Sequence, residues 1–129
     1  MRKAILIFAS LAAVLSCSDH KEWYIVTEPM YIVSVEMPDT VSLGQSINYT
    51  AHADLENSCK HYSHLVQLVN GNEVSVILFK KWDIREKVCY DVVTPVYEGG
   101  AYRPDAPGTY TFYFWRVEGE SLRREVVVR

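Results

Sequence analysis

The chain has 129 residues, 49% of them hydrophobic and 22% charged, at a formal net charge of −3. That size suits one domain and excludes a multidomain enzyme. An odd count of three cysteines leaves one thiol to be explained if the chain is exported.

Met1-Arg2-Lys3 is a short basic start, and an apolar run from Ala4 to Leu15 follows, broken only by Ser10. A run of about a dozen residues is shorter than the roughly 20 a bilayer-spanning helix needs, so residues 1–16 are expected to be a cleaved signal peptide. Val14-Leu15-Ser16-Cys17 resembles a bacterial lipobox, in which a cysteine after a small residue is lipidated and becomes the mature N-terminus. This resemblance makes Cys17 the lipidation site and the membrane a partner through a lipid anchor. Ser18 directly after the cysteine favours outer-membrane sorting, and Ser18-Asp19-His20-Lys21-Glu22 is similar to the acidic stretch of surface-exported lipoproteins in Bacteroidetes. The expected location is therefore the outer membrane, lipid-anchored, with the cell surface and the periplasmic face as the two alternatives.

Removing residues 1–16 leaves 113 of the 129 residues and, with Arg2 and Lys3 gone, moves the formal charge from −3 to −5. Nucleic acid is an unsuitable partner for so acidic a chain, since Lys80-Lys81 and Arg123-Arg124 form no basic stripe. Residues 17–28 read as a lipidated tether and residues 29–129 as one domain.

Strand periodicity dominates that domain. Val33, Val35 and Met37 alternate with Ser34 and Glu36; Ile47, Tyr49, Ala51 and Ala53 alternate with Asn48, Thr50 and His52. The β-rich runs Leu65 to Val69 and Val74 to Phe79 flank Asn70-Gly71-Asn72, a hairpin signal because Asn and Gly tolerate positive φ. Val88 to Val93 reads as a fifth strand. Tyr110, Phe112 and Phe114 alternate with Thr111 and Tyr113, and Leu122 to Val128 follows a turn at Glu118-Gly119-Glu120. Seven strands in about 100 residues predict an all-β antiparallel sandwich.

Asp105-Ala106-Pro107-Gly108-Thr109-Tyr110 resembles the tyrosine corner of immunoglobulin-like domains, where Gly-x-Tyr opens the penultimate strand. Phe112 stands where an antibody domain carries a cysteine. The chain is similar to a small immunoglobulin-like lipoprotein of the Bacteroidetes type, and the resemblance implies an immunoglobulin-like sandwich. Cys59 and Cys89 are expected to pair in an oxidising compartment. A bridge closing roughly 30 residues stabilises by about 3.5 kcal/mol on the chain-entropy model.

A rival use of Cys59 is metal binding or a small hydrolase, since Cys59-Lys60-His61-Tyr62-Ser63-His64 sets a thiol and two imidazoles within six residues, with His52 nearby. No fourth ligand is evident, and a bridged thiol cannot ligate. Ser58, Asp54 and His61 or His64 supply the residue types of a triad without a Gly-x-Ser-x-Gly elbow. Phosphate-loop and dinucleotide signatures are absent. The expectation is a non-catalytic binding or accessory module with no metal or cofactor, whose partner is a protein or a glycan. Candidate ligand contacts are Trp82 and Arg85 in one loop, and Tyr97, Tyr102 and Arg103 in another; the competing reading folds Trp82 and Tyr97 over the sandwich as lids. Tyr113 and Trp115, opposite Phe112 and Phe114, pose the same choice.

Overall fold

The computed structural model describes residues 24–129. The predicted signal peptide, Cys17 and the first part of the tether lie outside the described residues. Among the described residues the fold is an all-β sandwich of nine strands, two more than the periodicity predicts: β1 Ile25–Pro29, β2 Ile32–Glu36, β3 Thr40–Val41, β4 Ile47–Leu55, β5 His61–Asn70, β6 Glu73–Asp83, β7 Thr94–Tyr102, β8 Gly108–Val117 and β9 Glu120–Val128.

The strands with the clearest period-two patterns build the core. β4 turns Ile47, Tyr49, Ala51, Ala53 and Leu55 inward; β6 contributes Val74, Val76 and Leu78, and β8 Tyr110, Phe112 and Phe114. The smaller sheet has the order β2-β4-β7, and the larger runs β5-β6-β8-β9-β3 with β1 also on β6. The predicted hairpin at Gly71, which takes φ 59°, joins β5 to β6, and the strands extend into the turn to set Asn70 opposite Glu73. The tyrosine corner is present: Tyr110 Oη donates to the Ala106 carbonyl at 2.8 Å.

Four features depart from the sequence reading. First, the larger sheet is mixed, because β6 runs parallel to β8 over Glu73–Val76 and β3 parallel to β9. In an immunoglobulin sandwich the third long strand lies beside the sixth. Here the fourth, β6, takes that place and β5 is displaced to the edge; since β5 and β6 are antiparallel hairpin partners, the exchange makes the contact with β8 parallel.

Second, residues 25–28, assigned to the tether, form most of β1. β8 pairs with β6 only as far as Val76, which leaves the rest of that edge to β1, with Pro29 opposite Phe79 and Ile25 opposite Asp83. Third, a bulge at Val33 breaks the period of β2, so Ile32 and Val35 face the core while Val33 is exposed. Arg116 of β8 donates to the carbonyls of Ile32 and Val33 there, both at 3.0 Å.

Fourth, Val88–Val93 is not a strand. It is an exposed connection, and the fifth long strand is β7, the Pro- and Gly-containing segment read as a loop. The reason is steric. Tyr49 of β4 lies over Gly100, its partner in the ladder, and a Cβ at position 100 would sit 2.2 Å from the Tyr49 hydroxyl. Gly100 is therefore a close-approach residue and not a chain breaker.

Gly100→Ala should lower stability by about 1–3 kcal/mol, because the added methyl must displace a buried ring. Urea unfolding checks this, and Gly99→Ala, whose Cβ would meet only ordinary contact at 3.7 Å, serves as the control with a much smaller change.

Candidate functional site

The five candidate contacts fall in three separate places. Trp82 continues the inward row of β6 past the apolar core, where β4 ends and β5 and β7 begin. It is half-buried, with the Lys60 ammonium 2.9 Å from its ring centroid. Lys80 precedes it on the same face and bonds Glu56 at 2.7 Å and Glu28 at 3.3 Å. Burial pushes the Glu56 carboxyl up, but hydrogen bonds from Lys80 and its own backbone, with the charges of Lys80 and Lys60, bring it below its ordinary value. Trp82 is thus a lid closed by cations and carboxylates.

Arg85, just beyond β6, turns back on Asp83 with bonds of 2.9, 3.2 and 2.5 Å and lies 4.3 Å over the Tyr24 ring. The hydrogen bonds from Arg85 hold Asp83 down at about 2. Arg85 is exposed, yet its guanidinium is already occupied by a carboxylate and a ring.

At the opposite end, Tyr102 closes β7 against the core, 5.8 Å from Tyr110 and 6.4 Å from Phe112 between ring centroids. This makes it a core lid as well. Arg103 follows it at the surface beside buried Pro104.

Tyr97 is different. It sits mid-strand on the outer face of the small sheet, 64% exposed, stacked on His52 at 4.6 Å with the planes 14° apart. His52 lies opposite it on β4 and is held from both sides, Nε2 3.0 Å from Asp54 Oδ1 and Nδ1 3.4 Å from Ser34 Oγ. Beside the stack, Thr50 faces Gly99 and Asn48 faces Ala101, so no second ring stands next to Tyr97 on these strands, and Glu36 of β2 lies on the other side of Thr50. The alignment of Ser34, His52 and Asp54 superficially matches a nucleophilic triad. The surrounding β4 and β7 backbone belongs to the sheet ladder, however, and does not form a donor pocket for an oxyanion. What the arrangement does provide is an exposed aromatic ring whose orientation is fixed before any ligand arrives. The His52 and Asp54 pairing is legible only as two polar residues at i and i+2 on one strand face, a weak signal without the fold.

The other feature missed by the sequence reading is the connection of residues 84–93. Ile84, Val88, Tyr90, Val92 and Val93 are all exposed there. The Cys59–Cys89 disulfide, with a Cα separation of 5.4 Å, pins the connection to the β4–β5 loop. Ser58 reinforces it, its N–H donating to the Tyr90 carbonyl at 3.0 Å and its Oγ accepting from Tyr90 N–H at 2.8 Å. Asp91 was the one hint that this run does not enter a core.

The disulfide also removes the thiol on which the metal or hydrolase alternative depends. His64 stacks on Phe79 at 4.8 Å and pairs with Ser63, while His61 lies opposite Lys81. Among the described residues, no three His, Cys, Asp or Glu side chains gather in a way that could hold a metal ion. Tyr113 and Trp115 lie half-buried on the outer face of the larger sheet.

Replacing Cys59 and Cys89 together by Ala should lower stability by about 3.5 kcal/mol, the chain-entropy value for a loop of this size. Denaturant unfolding of the double variant beside the oxidised protein measures it. No family model matches the chain, and neither a curated protein nor a solved structure matches it.

Proposed function

We propose that the chain is a lipid-anchored module of the bacterial outer membrane, exposed at the cell surface, that binds a protein or glycan without catalysing a reaction. The signal-peptide pattern and the lipobox at Cys17 support the anchor, and Ser18 with the acidic stretch supports outer-membrane sorting. The likeness to small immunoglobulin-like lipoproteins of the Bacteroidetes type agrees with a sandwich that carries a tyrosine corner.

The observation that carries the binding reading is the Tyr97 and His52 stack. A ring fixed by its neighbours loses little rotamer freedom on contact, so more of the contact energy is kept as affinity. An exposed ring with the Asp54 and Ser34 polar groups within reach suits a sugar ring or the flat side of a protein loop. Of the five candidate contacts, Tyr97 is the one ring presented in this way. Trp82 and Tyr102 are covered, Arg85 is engaged, and Arg103 is exposed at the far end of the sandwich, away from the stack.

The test is a pull-down from native membranes run beside a glycan panel, comparing the protein with its Tyr97→Ala variant. The expected result is a ligand whose capture falls about tenfold in the variant, as for a binding hot spot. Equal capture by the two proteins would remove Tyr97 from the site.

A further inference from the structure

The fold brings the N-terminal entry of the domain and its most apolar exposed connection to the same end. Ile84 N–H donates to the Tyr24 carbonyl at 2.8 Å, and Ile25 lies opposite Asp83, so the chain enters the sandwich directly beside residue 84. Val88 is 75% exposed, Tyr90 68% and Val93 63%, with Ile84 and Val92 each 55%. Five large apolar side chains open to solvent within ten residues are far more than scattered surface hydrophobics require.

Three properties narrow what could cover them. The connection is braced by the Cys59–Cys89 bridge and the two Ser58 bonds, so it presents its side chains without first having to order them. Its charges, Arg85, Glu86, Lys87 and Asp91, sum to zero, and Arg85 is turned back on Asp83. It therefore offers neither sign of field to a charged protein partner and relies on apolar contact. Six residues lie between Cys17 and Tyr24, and the seven steps from one to the other reach at most about 25 Å however the segment is arranged.

We infer that the connection of residues 84–93 is a membrane-docking surface, seating Val88, Tyr90, Val92 and Val93 at the headgroup boundary of the bilayer that holds the lipid of Cys17. The inference rests on the lipid-anchor reading above. A tether this short keeps the connection at high effective concentration next to that bilayer, so weak partition is enough to populate the docked state. Tyr90 and Tyr24, each with an apolar ring and a polar tip, suit the interface. Docking would orient the domain, with the disulfide end down, the tyrosine-corner end outward and the Tyr97 face turned to the side.

The test uses the protein purified from its own membranes and reconstituted into vesicles of phosphatidylethanolamine and phosphatidylglycerol. Flotation with the vesicles reads the anchor, and amide hydrogen exchange of the floated protein reads the docking. The amides of Val88, Asp91 and Val93 have no hydrogen-bond partner among the described residues, so their protection reports what covers them. The expected result is protection about tenfold greater in the native protein than in a variant carrying Val88→Asp and Val92→Asp, with the Asn70–Asn72 turn at the far end unchanged. Both substitutions fall on exposed side chains, and the exchange of the core strands in the same spectra verifies that the variant is folded. Protein that floats but shows equal protection in the two forms overturns the docking alone. Protein that does not float overturns the anchor and the docking with it.

Discussion

Tyr49 is the side chain on which the two sheets depend. From the middle of β4 its ring meets Phe112 and Phe114 of β8 edge-on, at 5.8 and 5.4 Å, and so joins the smaller sheet to the larger. Such pairs contribute about 0.5–1.5 kcal/mol each beyond the area they bury. The same ring covers Gly100 of β7, and its hydroxyl donates to Gln67 of β5 at 2.6 Å. Gln67 in turn donates to the Ala101 carbonyl at 3.3 Å, so a chain of two bonds closes the sandwich on the side where β5 and β7 are edge strands. Burial pushes the Tyr49 hydroxyl up to about 12, which keeps it a donor well past neutrality. The sign follows: with the folded value above the ordinary 10.0, this contribution is complete below about 10 and is lost as pH rises through about 12.

That one contact also explains which parts of the fold were legible in the sequence. β4 and β8 are strongly alternating because each faces a core on one side only, and both stand where the pattern puts them. The β5–β6 hairpin and the tyrosine corner are legible because local chemistry, Gly71 at positive φ and the hydroxyl of Tyr110, determines each. β7 was not legible. Gly100 is demanded by a ring on another strand, and nothing within Thr94–Tyr102 itself announces that ring. Val88–Val93 fails in the opposite sense, since its β-branched residues satisfy strand propensity while the bridge at Cys89 and the Ser58 bonds hold it outside both sheets. β-propensity measures fit to a pleated, half-buried surface, and here that surface is missing. At the candidate site the sequence offered five residues in two loops; Trp82 and Tyr102 fell to core closure, Arg85 to Asp83, Arg103 lies at the surface of the far end, and Tyr97 is the one exposed ring among them, because burial on a sheet face depends on neighbours the sequence does not identify.

The proposed anchor and the observed fold fit together in one arrangement. On this proposal the cysteines divide between two tasks, Cys17 to hold the chain to the membrane and the observed Cys59–Cys89 bridge to brace the end of the sandwich where the tether enters. The larger, aromatic investment of the molecule lies in its core, where Tyr49, Phe112 and Phe114 meet, while three of its exposed rings are each held by a partner, Tyr97 by His52, Tyr24 by Arg85 and Tyr31 by Arg116, and Tyr90 stands open in the 84–93 connection. A tethered domain gains from such rigidity. A tether of the proposed kind would restrict where the domain can meet a ligand, and a ring fixed as Tyr97 is would keep the remaining entropic cost of contact small.

The intact mass of the protein extracted from its native membranes, taken without reduction, tests the central claim most directly because one spectrum reads all three cysteines. The expected species is a chain beginning at Cys17, heavier by its acyl groups and lighter by the two hydrogens of one disulfide, with no thiol open to alkylation. An unmodified chain beginning elsewhere, or one in which Cys59 and Cys89 take up alkylating reagent, would contradict it.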